Sequence, residues 1–181
     1  VTMRAFAEDF RTGTIAWLST KPITTQNIVL GKYFASVVLA AAALLPTLLY
    51  VYSIANLSAI EDSIDYGSIV GSYFGLLFLV AGFNAVGIFC STLASNQIVG
   101  FLIALFSCYI LFYGFESLST ITDLPVGFDY YLSMIGMSYH YNSISRGIID
   151  SRDVLYFLSL IIFFLSLSTY SLTKRTWDKA Q

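Results

Sequence analysis

An all-α integral membrane fold, a polytopic helix bundle, is predicted by three features of this sequence. Of its 181 residues 57% are hydrophobic and 11% charged, against roughly 25% charged in an ordinary soluble domain; so few charges cannot coat a water-facing surface. The charges also leave three long gaps, from Lys32 to Glu61, from Asp65 to Glu116 and from Asp153 to Lys174. Inside those gaps the apolar runs, such as residues 37–45, do not alternate with polar ones. That favours helices over a β-barrel, the other structure that satisfies its backbone in lipid.

The same composition excludes other classes. Aromatic and aliphatic content is too high for disorder, 12 Gly and 3 Pro are too few for a collagen-like repeat, and two Cys are too few for a disulfide-stapled module. A formal net charge of -2 without a basic patch argues against a nucleic-acid binder.

Residues 1–25 are polar and amphipathic. Phe6, Phe10, Trp17 and Leu18 recur at helical spacing, with Glu8, Asp9 and Arg11 between them. Gly13 breaks this run, and Thr12 or Thr14 suits the cap of a second short helix ending near Pro22. The segment reads either as an interfacial anchor or as a helix-turn-helix elbow presented to a partner. Thr24 or Thr25 suits the cap of the first membrane helix. A helix crossing the ~30 Å hydrocarbon core needs about 20 apolar residues, so the first gap holds one span, near 28–53. Pro46 should kink it.

The second gap is too long for one span and is broken at Ser95-Asn96-Gln97, giving spans near 67–92 and 98–115. Residues 116–153 form a long aromatic loop, expected to fold into short helices that dip into the headgroup region or re-enter the membrane. The third gap gives a span at 154–173, and 174–181 is a tail. Residues 26–173 thus form one transmembrane domain.

Four spans put both ends on one side. Seven of the nine basic residues flank the first and last spans, and eight of the eleven acidic ones lie in segments 55–66 and 116–153. By the positive-inside rule both termini are cytoplasmic.

Gly67, Gly71 and Gly75 form a small-residue strip on which another helix can approach closely, inside the bundle or across a dimer seam. Asn84, mid-span, should face protein or a wet cavity, because an amide in lipid is costly. Cys90 and Cys108 are read as small apolar packers, too far offset in depth for a disulfide. His140, the one histidine, sits between Tyr139 and Tyr141 as a solvated interfacial residue would. No zinc-ligand spacing, Walker A pattern, nucleophile elbow or intramembrane carboxylate pair is present. An enzyme is therefore the least favoured reading, and no metal or cofactor is expected in this chain.

Residues 4–15, from Arg4 through Glu8-Asp9-Phe10-Arg11-Thr12-Gly13-Thr14, together with Thr20-Lys21-Pro22-Ile23 and Leu30-Gly31-Lys32, resemble the cytoplasmic loop of ABC-2 type transporter permeases. Residues 143–158 resemble that family's external short helix and final span. Leu45-Pro46-Thr47-Leu48-Leu49-Tyr50, Asn96-Gln97-Ile98-Val99 and Tyr113-Gly114-Phe115 are similar to its gliding-motility-associated permease subunits in gliding bacteria.

The resemblance implies an export permease in a bacterial inner membrane, with four of an expected six spans in this chain. The loop would be a coupling helix that docks on a separate ABC ATPase subunit through Arg4, Phe6, Glu8, Arg11, Gly13 and Thr14. ATP and Mg belong to that subunit, and a second permease half completes the pathway in the lipid bilayer. Asp9 stands where the family usually has Glu, and Ala16 where an acidic residue is common. The competing reading is a non-transporting scaffold or anchor subunit of an envelope machine.

The orientation is testable by labelling. In a background without Cys90 and Cys108, cysteines at Ser58 and Asp123 should react with an impermeant thiol reagent on intact cells. Those at Ser19 and Asp178 should react only after permeabilisation, and the opposite pattern would invert the topology.

Overall fold

The computed structural model describes residues 2–13, 24–57, 65–120 and 127–178. Among these no residue lies in a strand. A 3-10 turn, Thr2–Arg4, leads into a short helix α1, Ala7–Thr12. Four helices long and apolar enough to cross a membrane come after it: α2, Thr25–Leu57; α3, Tyr66–Leu93; α4, Gln97–Ser119; and α7, whose span Ser151–Arg175 lies within Ser151–Asp178. Between α4 and α7 stand α5, Phe128–Ile135, and α6, Met137–Ser145.

The helix starts are written in short polar side chains. Thr24, Asp65 and Asn96 hold extended backbone and accept from the first free amides of α2, α3 and α4. Asp150 does the same for α7, taking the Arg152 N–H at 3.0 Å. Each helix outruns its expected span by a few residues, and α7 continues through 174–178 where a tail was expected.

Pro46 has no N–H to give to Ala42, and the Leu45 amide takes that carbonyl instead. A 3-10 turn, Leu45–Thr47, results inside α2. Thr47 donates to Leu44 O at 2.6 Å and meets the Tyr73 hydroxyl at 2.9 Å, which ties the kink to α3. In α4 a π-helical turn, Ile110–Gly114, widens the helix toward its end.

α3 is the central helix. Half of its apolar window is buried, against 6% in α2 and α4 and 17% in α7. Lipid tails are as apolar as Leu, so helices in a bilayer gain little by hiding apolar surface and associate instead where small residues let backbones approach. The buried face of α3 carries Gly71, Gly75, Gly82, Ala85 and Gly87, and each glycine faces a neighbour. A Cβ on Gly71 would lie 2.6 Å from Gly147 Cα and from Ile144 O; on Gly75, 3.3 Å from an Ile144 methyl; on Gly82, 2.7 Å from the Met137 methyl. At Gly87 it would collide with the Thr2 side chain. The strip therefore packs inside the chain, against α6 and the turn at its C-terminal end. Gly67 joins it because Gly147, at φ 83, is pressed onto the Gly67 carbonyl.

The core divides accordingly. Toward the termini Phe6, Val29, Tyr33, Ile88 and Leu165 cluster on α3, and from its middle onward, on the hairpin side, Leu79, Met137, Ile144 and Phe157 do so. Asn84 turns its amide nitrogen into the protein, where it finds no hydrogen-bond partner among the described residues. Both cysteines are free.

Gly71→Ala alone should lower the melting temperature of the detergent-solubilised protein, by the equivalent of about 1–3 kcal/mol, because its methyl meets backbone that cannot yield. Gly31 has nothing within 4 Å of such a methyl, so Gly31→Ala should be neutral or stabilising. Equal melting shifts for the two would refute the packing assigned to the strip.

Candidate functional site

Two places gather polar side chains in this apolar bundle, one at each end. At the end bearing the termini, the segment 2–13 lies across α2, α3 and α4. Its first helical amides need acceptors, and α1 has no side-chain cap of its own. Ser91 of α3 supplies one. Its Oγ accepts from the amides of Phe6 at 2.9 Å and Ala7 at 3.1 Å, and donates to Met3 O at 3.1 Å, which exhausts what one hydroxyl can do. Lys32, on the second turn of α2, bonds both Ala5 O and the Asp9 carboxylate and stands 4.5 Å above the Phe6 ring. Arg175 of α7 donates to the Thr92 and Leu93 carbonyls at 2.8 and 3.1 Å, capping the negative end of α3. It also lies over the Phe10 ring at 4.7 Å.

The expected interface residues therefore split into two sets. Phe6, expected on a partner-facing surface, is 1% exposed and belongs to the core; its ring covers apolar side chains that would otherwise meet water at the bundle's end. Arg4, Arg11 and Gly13 are exposed and Glu8 half-buried. No ion pair joins Arg4, Glu8 or Arg11 to another described residue. Gly13 ends α1 at φ 73, the left-handed region that Gly enters without a Cβ penalty. Thr14, with Trp17 and Leu18, lies outside the described residues. A cleft of about 370 Å³ separates the segment from α2, with Arg4, Glu8, Asp9 and Lys32 on its walls.

At the opposite end α5 and α6 form a hairpin that packs against α3, α4 and α7. Met137, just past the Gly136 bend, reaches Gly82 and so sits beside Phe157. Phe157 is six residues into α7, roughly 9 Å below its start. Backbone that breaks helix at such depth must be satisfied by protein, and three bonds do this. The Gly136 amide donates to Ser133 O at 3.0 Å, the Tyr156 hydroxyl to Ile135 O at 2.5 Å, and His140 Nε2 to Met134 O at 2.8 Å.

His140 is thus not the solvated interfacial residue expected from its neighbours. It is 6% exposed, stacked on Tyr156 with centroids 3.9 Å apart, and its Nδ1 lies 2.7 Å from Asp153 Oδ1, itself on a 4% exposed residue. Met134 O can only accept, so Nε2 is the donor to it, and Nδ1 faces the carboxylate. The pair is hidden in the sequence: His140 and Asp153 are thirteen residues apart on different helices, and Asp153 reads there only as an outer-loop charge. Lys32 leaves a clearer trace, as a lone cation inside an apolar run. Among the described residues no cluster of His, Cys, Asp and Glu could hold a metal ion.

No protein-family model matches the chain, and neither a curated protein nor a solved structure is found similar to it.

Removing one partner of a buried pair leaves the other uncompensated, typically at about 3–5 kcal/mol. His140→Ala and Asp153→Ala should each lower stability in detergent by several kcal/mol, and the double variant should cost clearly less than their sum. Additive losses would mean that the two side chains do not act as a unit.

Proposed function

We propose that the chain is the membrane-spanning permease subunit of an export-type ABC transporter, driven by a separate ATPase subunit. The observation that carries the reading is the construction of segment 2–13. It is fixed to three spans by Phe6, Ser91, Asp9 and Lys32, yet it turns Arg4, Arg11 and the Gly13 bend outward without intramolecular partners for those charges among the described residues. A segment that served only this fold would have little use for an unpaired charged face over a rigid base. A partner that must push on the spans needs both. The resemblance of residues 4–15 to the coupling loop of ABC-2 permeases gives that partner its identity.

In this reading the termini are cytoplasmic, in a bacterial inner membrane. Further spans and a second permease half cover the exposed apolar faces of α2 and α4, where Phe34, Val38, Leu49, Phe101 and Phe106 lie open. The similarity to gliding-motility subunits points to cell-surface movement as the process served.

The anchors and the outward face can be separated experimentally. Charge reversal at Glu8 and Arg11 should leave expression and melting temperature nearly unchanged, while the full-length protein loses its ATPase in a pull-down. Gly13→Val forces a β-branched residue to φ 73 and should likewise release the ATPase with expression nearly unchanged, while lowering stability by roughly 1–2 kcal/mol. Ser91→Val should instead lower stability, since it strips two buried amides of their acceptor. Retention of the ATPase by both outward-face variants would end the docking proposal. Capture of the ATPase without ATP-dependent transport would turn the reading to a scaffold.

A further inference from the structure

At the hairpin end, α4 and the α5–α6 hairpin enclose a cleft of about 310 Å³ lined by Glu116, Ser133, Tyr139, Asn142, Ser143 and Arg146. It holds one full negative and one full positive charge, and they do not meet: no ion pair within 4 Å joins Glu116 to Arg146. Arg146 Nε donates to Asn142 O at 3.2 Å, which fixes the plane of the guanidinium and leaves both terminal nitrogens without a partner among the described residues. The Glu116 carboxylate likewise has none among them; only its backbone carbonyl is used, by the Ser119 hydroxyl. Two opposite charges in one cleft, both exposed and each unpaired among the described residues, leave room for a ligand that carries both signs.

We propose that this cleft binds the phosphoethanolamine headgroup of a bilayer lipid. The phosphate would sit on Arg146, whose forked donors match phosphate oxygens, with Asn142, Ser133 and Ser143 as additional polar groups. The ammonium would sit on Glu116. A purely anionic headgroup is disfavoured because it would occupy Arg146 and leave the Glu116 carboxylate without a cation. The position suits a lipid: Glu116 lies on the last turns of a span and so at headgroup level. The mouth carries Ile148, 68% exposed, with Ile149 beside it at 52%, an apolar rim for the glycerol and chains. The volume is at the low end of the ~300–1,000 Å³ of ligand pockets, enough for one headgroup and too little for a polymer. The site is independent of whether an ATPase docks at the other end.

The test uses the full-length protein in nanodiscs of equal phosphatidylethanolamine and phosphatidylglycerol, with the retained lipid read by native mass spectrometry. The wild type should retain phosphatidylethanolamine at least tenfold over phosphatidylglycerol. Glu116→Lys should reverse the preference, Glu116→Gln should abolish it, and Arg146→Gln should lose both lipids. The ratio is read on folded protein, so a fall in yield does not mimic the result. Glycerophosphoethanolamine, which has the headgroup and no chains, separates the two sources of this chemistry. Competition at least tenfold weaker than by the lipid supports the proposal, and equal competition assigns the cleft to a free headgroup and overturns the lipid. An unchanged lipid ratio in Glu116→Lys overturns the site altogether.

Discussion

Everything in this bundle leans on the narrow face of α3. A membrane interior gives helices little reason to associate beyond close packing, and α3 places glycine at four of its close approaches. Gly71 and Gly75 admit α6, Gly82 admits Met137, and Gly87 admits Thr2. These contacts are not interchangeable with ordinary apolar packing. At Gly71 the neighbour is backbone, so even a methyl has nowhere to go. The two half-cores, one around Phe6 and Ile88 and the other around Met137 and Phe157, are built on adjoining stretches of this one helix.

A second constraint explains where the polar residues went. Away from water, a free amide or carbonyl costs several kcal/mol, so each break in helical backbone must bring its own partner. Ser91 serves the start of α1, Arg175 the end of α3, and His140 and Tyr156 the tip of the hairpin. Most of these partners come from a different helix than the break they satisfy. Polar pairing therefore does more than repair the backbone: it fixes which elements meet and in what register, a specificity that Leu-on-Leu contact lacks.

Much of this architecture is legible in the residue string. Charge gaps locate the four spans because a charge inside the bilayer is expensive. Thr24 marks the start of α2 because its short oxygen reaches an amide three residues on, and Ser95-Asn96-Gln97 marks the break before α4. Pro46 marks the turn in α2. What the string hides are pairings between distant segments. Periodicity shows that Phe6 and Phe10 share a face, but not whether that face meets lipid, a partner or this chain's own spans. His140 among tyrosines looks interfacial because nothing local announces Asp153 as its partner. The glycine strip announces a close neighbour without saying which one, and α6 is harder to foresee than a span because nothing local says that the loop folds back onto α3.

Segment 2–13 and the hairpin occupy opposite ends of the bundle, yet both are seated on α3. Ser91 and Gly87 hold the segment roughly one to three helical turns from Leu79 and Gly82, which hold the hairpin tip. A helix with its i to i−4 bonds intact is stiff over such a length, so a displacement of α1 that α3 follows also moves the wall against which Met137 and Ile144 pack. Stiffness alone does not make a switch; that takes an element with two arrangements whose balance both ends bias. The hairpin has the makings of one. Its tip is held by three side-chain or local backbone bonds around Gly136 and by methyl-to-glycine contacts, rather than by the continuous ladder of a spanning helix. Asp153 braces the His140 ring that makes one of those bonds, and its Oδ2 is an unused acceptor among the described residues.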